Sequence, residues 1–517
     1  MRDRLVRRIV AACAVLIAVL LCEALLANAM LKPVSRDEHM YCTAAVLLGQ
    51  GRQIYRDFSY PAQLPYHPLL LAGIYRVFDT RHYLLAGRLV SVACDILVVV
   101  LILVTYHRVF GAYRLEGLLF GLAAAVFYVF NPQVDDAAGR AWNHDAVILC
   151  VMLAFWLFTA VDFQGKGHVW RVAVIGALLT FATCMRVTTA LVEVLFLGVI
   201  LVGAGGSVRN RVRAALPFSL AGLAIAAWPV WVCLQAPQAV WLNLVRLPVL
   251  YGRWLHQIGM TQPKLTLTLF CLTKPEYLVL LAVSGYLLWT SVRRWRHLEP
   301  MTRRDLVAAC LLAGAFSLIA FIPPTMWEQY WAAPVPFLTV ALAWPLANLC
   351  RSCRQDKIGR DFRVATWVVF IGATVTAFAN PAVLHRLRDA TATQAWTPLA
   401  LHQTSVDIVA RTPEPKRVLT LGPLYALEGG AAIYPELASG SVVYRVADAL
   451  TERERAVTHT VGPAALVPLV EQHPPAAIVA GVEQRGVAVL EEPLLEATGP
   501  DWRVETYADG IRAYFRP

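Results

Sequence analysis

The chain has 517 residues, 58% of them hydrophobic, and its 46 Lys and Arg residues exceed its 35 Asp and Glu residues, giving a formal net charge of +11. Soluble domains contain about 45–50% apolar residues, so the composition excludes an ordinary soluble protein and indicates a polytopic membrane protein. The basic residues lie in short loops between apolar runs, and no RNA- or DNA-binding signature is present, so we expect no nucleic-acid partner.

About eleven apolar runs of membrane-spanning length follow one another along the chain. They cover residues 9–30, 83–105, 117–133, 144–161, 170–185, 188–204, 215–235, 265–290, 306–322, 332–349 and 364–381. The first run is longer than the apolar core of a signal peptide, and we interpret it as an uncleaved transmembrane helix. The sequence thus predicts a polytopic α-helical membrane protein whose transmembrane part comprises residues 1–382.

Arg and Lys are concentrated in alternate loops, which predicts an orientation. The loops "HRVFGAYR", "SVRNRVR", "SVRRWRHLEPMTRR" and "RSCRQDKIGRDFR" are basic, whereas "NPQVDDAAGRAWNHD" and "IPPTMWEQYW" are poor in basic residues. The positive-inside rule then places the N-terminus in the cytoplasm and the protein in the cell inner (plasma) membrane. An odd number of helices puts the region after residue 382 outside, together with the first loop, residues 32–82.

The first outer loop is long, and loops of this length are usually functional or disordered. Its beginning, "DEHMYCTAAVLLGQG", has an apolar helical pattern that ends at Gly49 or Gly51, which predicts an amphipathic helix lying on the membrane. The following "IYRDFSYPAQLPYHPLLL" is rich in aromatic residues and proline. It predicts a structured turn that returns to the membrane.

Residues 383–517 have a different pattern, with Pro and Gly between short runs. The runs "RVLTLGP", "SVVYRV", "AAIVAGV" and "WRVETYADGIRAYFRP" are typical of strands, and helical patterns such as "PAALVPLVEQ" separate them. This alternation predicts a small extracytoplasmic α/β domain. Its last piece predicts a hairpin that turns at "ADG".

Several polar residues should meet at the outer surface in this topology. Beyond the acidic pair Asp37 and Glu38, they are Arg56, Tyr66, His67, Arg140, His144, Asp145, Arg186, Glu328 and Tyr330. Guanidinium groups bind phosphate with a bidentate fork, so Arg56, Arg140 and Arg186 are candidate phosphate ligands, with snorkelling to lipid head groups as the structural alternative.

The stretch "SRDEHMY" places two acids at the start of a helix. One interpretation is helix capping, with Ser35 or Asp37 as the cap and acids in the first turn. The other is a catalytic carboxylate, and the two can hold together. The acids and two histidines could also hold a divalent metal, but no ligand spacing supports it, so we assign no cofactor.

The order of these features resembles the GT-C membrane glycosyltransferases, and among them the bacterial protein O-mannosyltransferase-like group that includes the aminoarabinose transferase of lipid A. The resemblance is carried by "DEHMYCTAAVLLGQGRQIYRDFSYPAQLPYHPLLLAGIYRVF", by "NHDAVILCVMLAF" with the arginine that follows it, and by "WEQYWAAPVPFLTVALAWPL". It spans most of residues 30–350. It implies inverting transfer of a sugar from a polyprenyl-phosphate donor to a hydroxyl of a glycan, lipid or protein acceptor, among membrane lipids.

Position by position, the resemblance implies that Asp37 is the general base, Glu38 its neighbour and Asp145 the acid of the second outer loop. His67 stands where some members have a lysine that touches the lipid phosphate, and Tyr66 replaces the glutamate before that lysine. The sugar is therefore not carried over. A transporter or flippase of lipid-linked sugars is the alternative function. Transporters usually show internal repeats, whereas here the polar residues cluster at one face, which favours an enzyme.

Overall fold

A helical membrane part carries a small domain with a four-stranded sheet in the computed structural model, which describes residues 2–163, 168–356, 359–483 and 485–517. The first half contains α1 (Arg2–Leu31), α2 (Arg36–Gly49), α3 (Tyr66–Val77), α4 (Tyr83–Phe110), α5 (Arg114–Val129), α6 (Pro132–Ala137), α7 (His144–Phe158), α8 (His168–Thr183), α9 (Ala190–Gly203), α10 (Val208–Gln235) and α11 (Pro237–Trp241). A π-helical turn, Leu242–Arg246, then leads into α12 (Leu247–Gln257). The membrane part ends with α13 (Lys264–Leu272), α14 (Pro275–Arg293), α15 (Pro300–Ile319), α16 (Val335–Ala341), α17 (Ala343–Asp356) and α18 (Gly359–Ala379).

The predicted apolar runs fall mainly on helices, and the polytopic helical class is confirmed. Within the described residues, six helical stretches are long and apolar enough to cross a membrane: Ile9–Leu31, Tyr83–Phe110, Val208–Gln235, Pro275–Arg293, Glu328–Cys353 and Gly359–Ala379. The apolar helices His144–Phe158, His168–Thr183 and Val187–Gly203 are shorter. Not every apolar run in the sequence therefore forms one membrane-spanning helix, because turns and 3-10 segments interrupt several of the runs.

The helix α7 has the two predicted sets of loops at its opposite ends. Near its last turn, Arg108 donates to the Thr159 carbonyl at 3.0 Å, and Arg304 donates to the Val161 carbonyl at 2.7 Å. Just before its first turn, the side chain of Asn143 donates to Gln63 of the first loop at 2.7 Å. The basic loops and the loops poor in basic residues are thus separated as the sequence predicted. The assignment of each end to a side of the membrane stays a prediction.

Residues after α18 form α19 (Pro381–Leu387), α20 (Thr397–Arg411), β1 (Val418–Thr420), α21 (Leu424–Leu427), α22 (Ser441–Tyr444), α23 (Glu452–Thr458), α24 (Leu466–Gln472), β2 (Ala477–Ala480), α25 (Glu492–Leu495), β3 (Arg503–Thr506) and β4 (Arg512–Phe515). The sheet order is β1-β2-β4-β3. Strands β1 and β2 are parallel, while β4 pairs antiparallel with both β2 and β3. The small C-terminal sheet and its terminal hairpin are as predicted.

Two local predictions were wrong. "SVVYRV" was predicted as a strand, but Ser441–Tyr444 is helical, because Val443 packs against α12 rather than in the sheet, and tertiary context overrides β-propensity. The helix α2 was predicted to lie on the membrane surface, but ten consecutive residues, Glu38 to Leu47, are buried. It lies inside the protein, in contact with α3, α4, α21 and α22.

The C-terminal domain covers the first loop. An apolar cluster joins Leu71 and Leu84 on one side to Leu401 and Leu424 on the other. Across the same boundary the Ser439 hydroxyl donates to the Ser59 carbonyl at 2.6 Å. These contacts fix the domain over the loop that holds the acidic pair.

Candidate active site

The helix α2 begins with a capping box that places the two acids side by side. The backbone N–H of Ser35 donates to the Glu38 carboxylate at 2.8 Å, and the Ser35 hydroxyl accepts the N–H of Asp37 at 3.4 Å. A capping box uses both side chains to satisfy backbone donors that the helix leaves unpaired. The capping interpretation therefore applies to Ser35 and Glu38, and it leaves the Asp37 side chain without a capping role.

Glu38 is held in a fully buried ion pair with Arg88 of α4, and both side chains are 0% exposed. The two guanidinium–carboxylate distances are 2.8 Å each, and the Ala141 N–H donates to the same carboxylate at 2.8 Å. Burial acts to raise the pKa of Glu38, but Arg88 outweighs it, and the pKa is lowered to about 2. Glu38 is thus ionised, and both of its carboxylate oxygens already accept hydrogen bonds.

Asp37 lies on a cavity of about 160 Å³, here called the Asp37 chamber. The other lining residues that matter below are Tyr41, Gln63, Tyr251, Trp327, Tyr330, Val442 and Val443. Asp37 is half-buried, and its carboxylate has no hydrogen bond or ion pair with any residue that the structure describes. Burial raises its pKa above the usual value, although Arg36, Arg140 and Arg445 act in the opposite direction. An unpaired carboxylate with a raised pKa is available to accept a proton.

A second cavity of about 240 Å³, the Arg186 chamber, adjoins the first. The two chambers share six lining residues: Ala62, Gln63, Pro248, Pro323, Pro324 and Tyr330. The Arg186 guanidinium lies over the Tyr330 ring, 5.3 Å from its centroid. Asp37 and Arg186 both lie within electrostatic reach of Tyr41 and Tyr330. The two chambers therefore adjoin along a shared wall, with an acid lining one and a cation lining the other.

The loop between the chambers is held by Asn243, which belongs to the π-helical turn. Its side-chain oxygen accepts the Ser59 hydroxyl at 2.6 Å and the Tyr60 N–H at 2.9 Å, while its carbonyl accepts the Ala62 N–H at 2.9 Å. π-helical turns inside α-helices are frequent at functional sites. Here the turn positions the neighbouring Gln63.

Three predicted site residues lie outside both chambers. Arg56 forms an ion pair with Asp57 at 3.0 Å, and its side chain is 51% exposed. Glu328 pairs with Lys274 at 2.8 Å. Tyr66 stacks on Phe181 and donates its hydroxyl to a backbone carbonyl. None of the three lines either cavity.

Four further predicted residues form the wall behind the chambers rather than their surface. His67 is buried with its ring 5.1 Å from the Tyr41 ring, and burial lowers its pKa to about 3, so it is neutral. Arg140 lies 3.8 Å from Glu38 and donates to the Pro33 carbonyl at 3.2 Å. The other two, His144 and Asp145, are the first residues of α7.

His144, at the start of α7, is buried and within electrostatic reach of Arg186. Asp145 is 0% exposed, and its carboxylate accepts the Gly139 N–H at 2.9 Å. Gly139 has a φ of +77°, and a Cβ there would come within 2.7 Å of Ala29. Asp145 therefore holds a tight turn that only glycine fits.

The sequence did not single out several residues that the structure brings to the site. Gln63 lies between the chambers and accepts a hydrogen bond from Asn143. Tyr251 of α12 and Val442 and Val443 of α22 line the Asp37 chamber. Arg445, which pairs with the buried Glu483, donates to the Tyr251 hydroxyl at 3.1 Å. No sequence signal connects segments so far apart.

The metal alternative gains no support at this position. In the described part of the chain, no three metal-ligating side chains meet around Asp37. The nearby His67 ring is instead packed against Tyr41. The polar groups that line the two chambers instead include a carboxylate, an arginine, a glutamine and tyrosines.

Solved structures share this fold over nearly the whole chain. ArnT from Cupriavidus metallidurans, in a crystal structure with bound undecaprenyl phosphate, matches with a TM-score of 0.60 and 14% identity over 98% of this chain and 97% of that one. The Archaeoglobus fulgidus oligosaccharyltransferase, tethered to an acceptor peptide, matches with a TM-score of 0.51 and 12% identity over 97% of this chain and 74% of that one. The sequence matches no protein-family model and no curated protein sequence. Because both structures are GT-C fold glycosyltransferases, these likenesses show that the chain has the GT-C fold.

Proposed function

We propose that this protein is a glycosyltransferase that moves a sugar from a polyprenyl-phosphate donor to an acceptor hydroxyl, with Asp37 as the general base. One observation carries the proposal: an unpaired carboxylate and an arginine line two adjoining chambers that share six residues. Glycosyl transfer from a lipid phosphate needs a base for the acceptor and a cation for the leaving phosphate. The site provides both, on the face that carries the C-terminal domain.

The donor phosphate is assigned to the Arg186 chamber. Phe316, Ile319 and Ile322, which lie at the end of α15 and just after it, give that chamber an apolar wall, as an isoprenoid tail requires. Arg186 makes no ion pair with any described residue, and a guanidinium binds phosphate oxygens with charge-assisted hydrogen bonds. The undecaprenyl phosphate bound to the structurally similar ArnT supports a donor of this class.

The reaction follows from the positions of the two groups. Asp37 takes the proton of the acceptor hydroxyl, and the oxygen attacks the anomeric carbon as the bond from that carbon to the phosphate oxygen breaks. The polyprenyl phosphate leaves with the bonding electron pair, and a single displacement inverts the anomeric centre. The raised pKa makes Asp37 a stronger base, and Arg186 stabilises the charge that develops on the leaving phosphate.

The other two predicted acids are assigned supporting roles. Glu38 anchors α2 to α4 through Arg88, and Asp145 holds the turn at Gly139. Neither lines a chamber, so we expect each to position the wall of the site rather than to touch a substrate. His144 and Arg140 belong to the same supporting layer.

The proposed location is the cell inner membrane, with the N-terminus cytoplasmic and the C-terminal domain outside. Single cysteines at exposed positions Arg52, Gln403 and Arg209, introduced after Cys13→Ala, test this by labelling with an impermeant reagent. Arg52→Cys and Gln403→Cys should react from the outside and Arg209→Cys only from the cytoplasm. The reverse labelling would refute the orientation.

The function is tested by incubating purified protein with a panel of polyprenyl-phosphate sugars and acceptors of glycan, lipid and protein type. Release of free polyprenyl phosphate, dependent on protein and on acceptor, is the expected result, and Asp37→Asn is the matched control. Movement of intact lipid-linked sugar across proteoliposomes without release of lipid phosphate would favour a flippase instead.

A further inference from the structure

A second group of polar side chains lies at the boundary between the membrane part and the C-terminal domain. It consists of His82, just before α4, His402 of α20 and Glu428, just after α21. One ligand atom from each residue, a ring nitrogen or a carboxylate oxygen, lies within 4.8 Å of the other two. No part of the proposed transfer reaction uses these residues, and none of them lines either chamber.

The carboxylate of this group is fixed before any ligand binds. Glu428 is 1% exposed, and one of its oxygens accepts the Leu84 N–H at 2.8 Å. Its other oxygen lies 2.9 Å from Nδ1 of His402. Glu428 thus presents a fixed carboxylate next to an imidazole, and both groups are ligands of transition-metal ions.

The two imidazoles lie against each other next to this carboxylate. The His82 and His402 rings are stacked with centroids 3.6 Å apart. His82 occupies the N-cap position of α4 but makes no side-chain capping hydrogen bond, and its Nδ1 is buried without a partner among the described residues. Protonation of both stacked imidazoles would place two positive charges side by side. Neutral imidazoles beside a carboxylate can instead offer their lone pairs to one bound cation.

The spacing suits one tetrahedral ion after small side-chain rotations. Nitrogen and oxygen ligands bind Zn²⁺ at about 2.0–2.2 Å, which places pairs of ligand atoms roughly 3.4 Å apart. The ligand atoms lie within 4.8 Å of one another, so side-chain rotations that move them by roughly 1.4 Å or less would reach this spacing. His82 and His402 are only partly buried, so water can complete the coordination.

We propose that His82, His402 and Glu428 form a binding site for a divalent transition-metal ion of the Zn²⁺ class, which fastens the C-terminal domain to the start of α4. Imidazole and carboxylate ligands suit such ions, and His82 lies more than 300 positions before the other two ligands in the sequence. The site is structural. Its ligands join the same two regions as the apolar cluster that contains Leu84 and Leu401.

The proposal is tested on the full-length protein in detergent after removal of metal with a chelator. Addition of Zn²⁺ should raise the midpoint of thermal unfolding, and addition of Co²⁺ should give the visible absorption bands of a tetrahedral site at one ion per chain. Because these are measurements of binding and stability, they are independent of glycosyl transfer. Absence of both signals in the wild-type protein would overturn the proposal.

Substitutions of the three proposed ligands test whether the ion binds at this position. His82→Ala, His402→Ala and Glu428→Gln should each weaken Zn²⁺ binding by at least the 10- to 100-fold that loss of an outer-shell partner costs, and each should abolish the Co²⁺ bands. Glu428→Gln keeps an oxygen for the Leu84 N–H, so it separates metal binding from the interface hydrogen bond. The exposed His473 is the matched control, since His473→Ala removes an imidazole from the same domain. Retained Co²⁺ bands in both His82→Ala and His402→Ala would place the ion elsewhere and refute the assignment.

Discussion

Asp37 and Glu38 are adjacent in the sequence but belong to different regions of the molecule. Glu38 pairs with Arg88 of α4 and accepts the Ala141 N–H from the loop before α7, and its pKa is lowered to about 2. Asp37 points to a chamber, has no partner among the described residues, and has a raised pKa. The same chemical group is therefore an anchor on one side of α2 and a candidate base on the other. The difference comes from the neighbours that tertiary structure supplies, and isosteric amide substitutions at both positions test it.

The largest effect is expected from Asp37→Asn. Turnover should fall by about 10²- to 10⁴-fold, the usual contribution of a general base. Stability at neutral pH should be unchanged or slightly higher, because a buried carboxylate with a raised pKa is less favourable when ionised than a neutral amide. Transfer rate and thermal unfolding measured together check this, and wild-type turnover would remove Asp37 from the mechanism.

Glu38→Gln should give the opposite pattern. Removal of one partner of a buried ion pair costs about 3–5 kcal/mol, since it leaves the Arg88 guanidinium buried without its counter-charge. We expect a large fall in the unfolding midpoint, while the protein that stays folded turns over at a rate near that of the wild type. Arg88→Met should show the same loss of stability. A stable Glu38→Gln protein with little turnover would instead give Glu38 a direct role in the reaction.

Arg186→Ala should weaken donor binding by about 10- to 100-fold, as expected for the loss of a hydrogen bond to a charged phosphate. The exposed Arg56 is the matched control, because the sequence also offered it as a phosphate ligand but it lies outside both chambers. Arg56→Ala should bind donor normally. Equal losses in the two variants would show that the arginines act through general surface charge and not through a phosphate site.

The smallest effect concerns pH. The transfer rate requires ionised Asp37, so it should fall as pH decreases through the raised pKa of that group. Arg36 is the cation that most lowers this pKa, and Arg36→Gln should therefore move the acidic limb of the pH–rate profile to higher pH by a fraction of a unit. Arg52→Gln, an exposed substitution in the same loop, should leave the limb in place. A shift of the Arg36→Gln profile to lower pH would contradict the assignment.

The sequence predicted the helical membrane class, the start of α2 and the terminal hairpin because these depend on local patterns. Apolar runs, a Ser-x-x-Glu capping box and a short turn between β-prone runs are each contained within a few residues. The division of labour between Asp37 and Glu38 was not predictable in this way. It depends on Arg88, 50 positions away, and a buried arginine in an apolar helix was the one available signal for such a partner.

The residues of the C-terminal domain that line the Asp37 chamber were also not predictable from the sequence. Val442 and Val443 face the chamber from a segment whose β-branched residues predicted a strand, and nothing in the sequence relates them to α2. Similarly, Asn243 holds the first loop from 180 residues further along the chain. Long-range contacts of this kind enclose the chambers, so sequence patterns could propose Asp37 and Arg186 as candidates but not the residues that surround them.

The residues shared by the two chambers have a consequence for kinetics. Tyr330 and Gln63 line both chambers, whereas Val442 and Val443 of the C-terminal domain line only the Asp37 chamber, so under the proposed function a lipid donor and a polar acceptor would occupy adjoining chambers. Neither substrate has to leave before the other arrives, and direct displacement needs no covalent sugar–enzyme species. Initial velocities measured against both substrates should therefore give intersecting double-reciprocal lines, the signature of a ternary complex, and a poor acceptor should slow the release of lipid phosphate from the first turnover onwards.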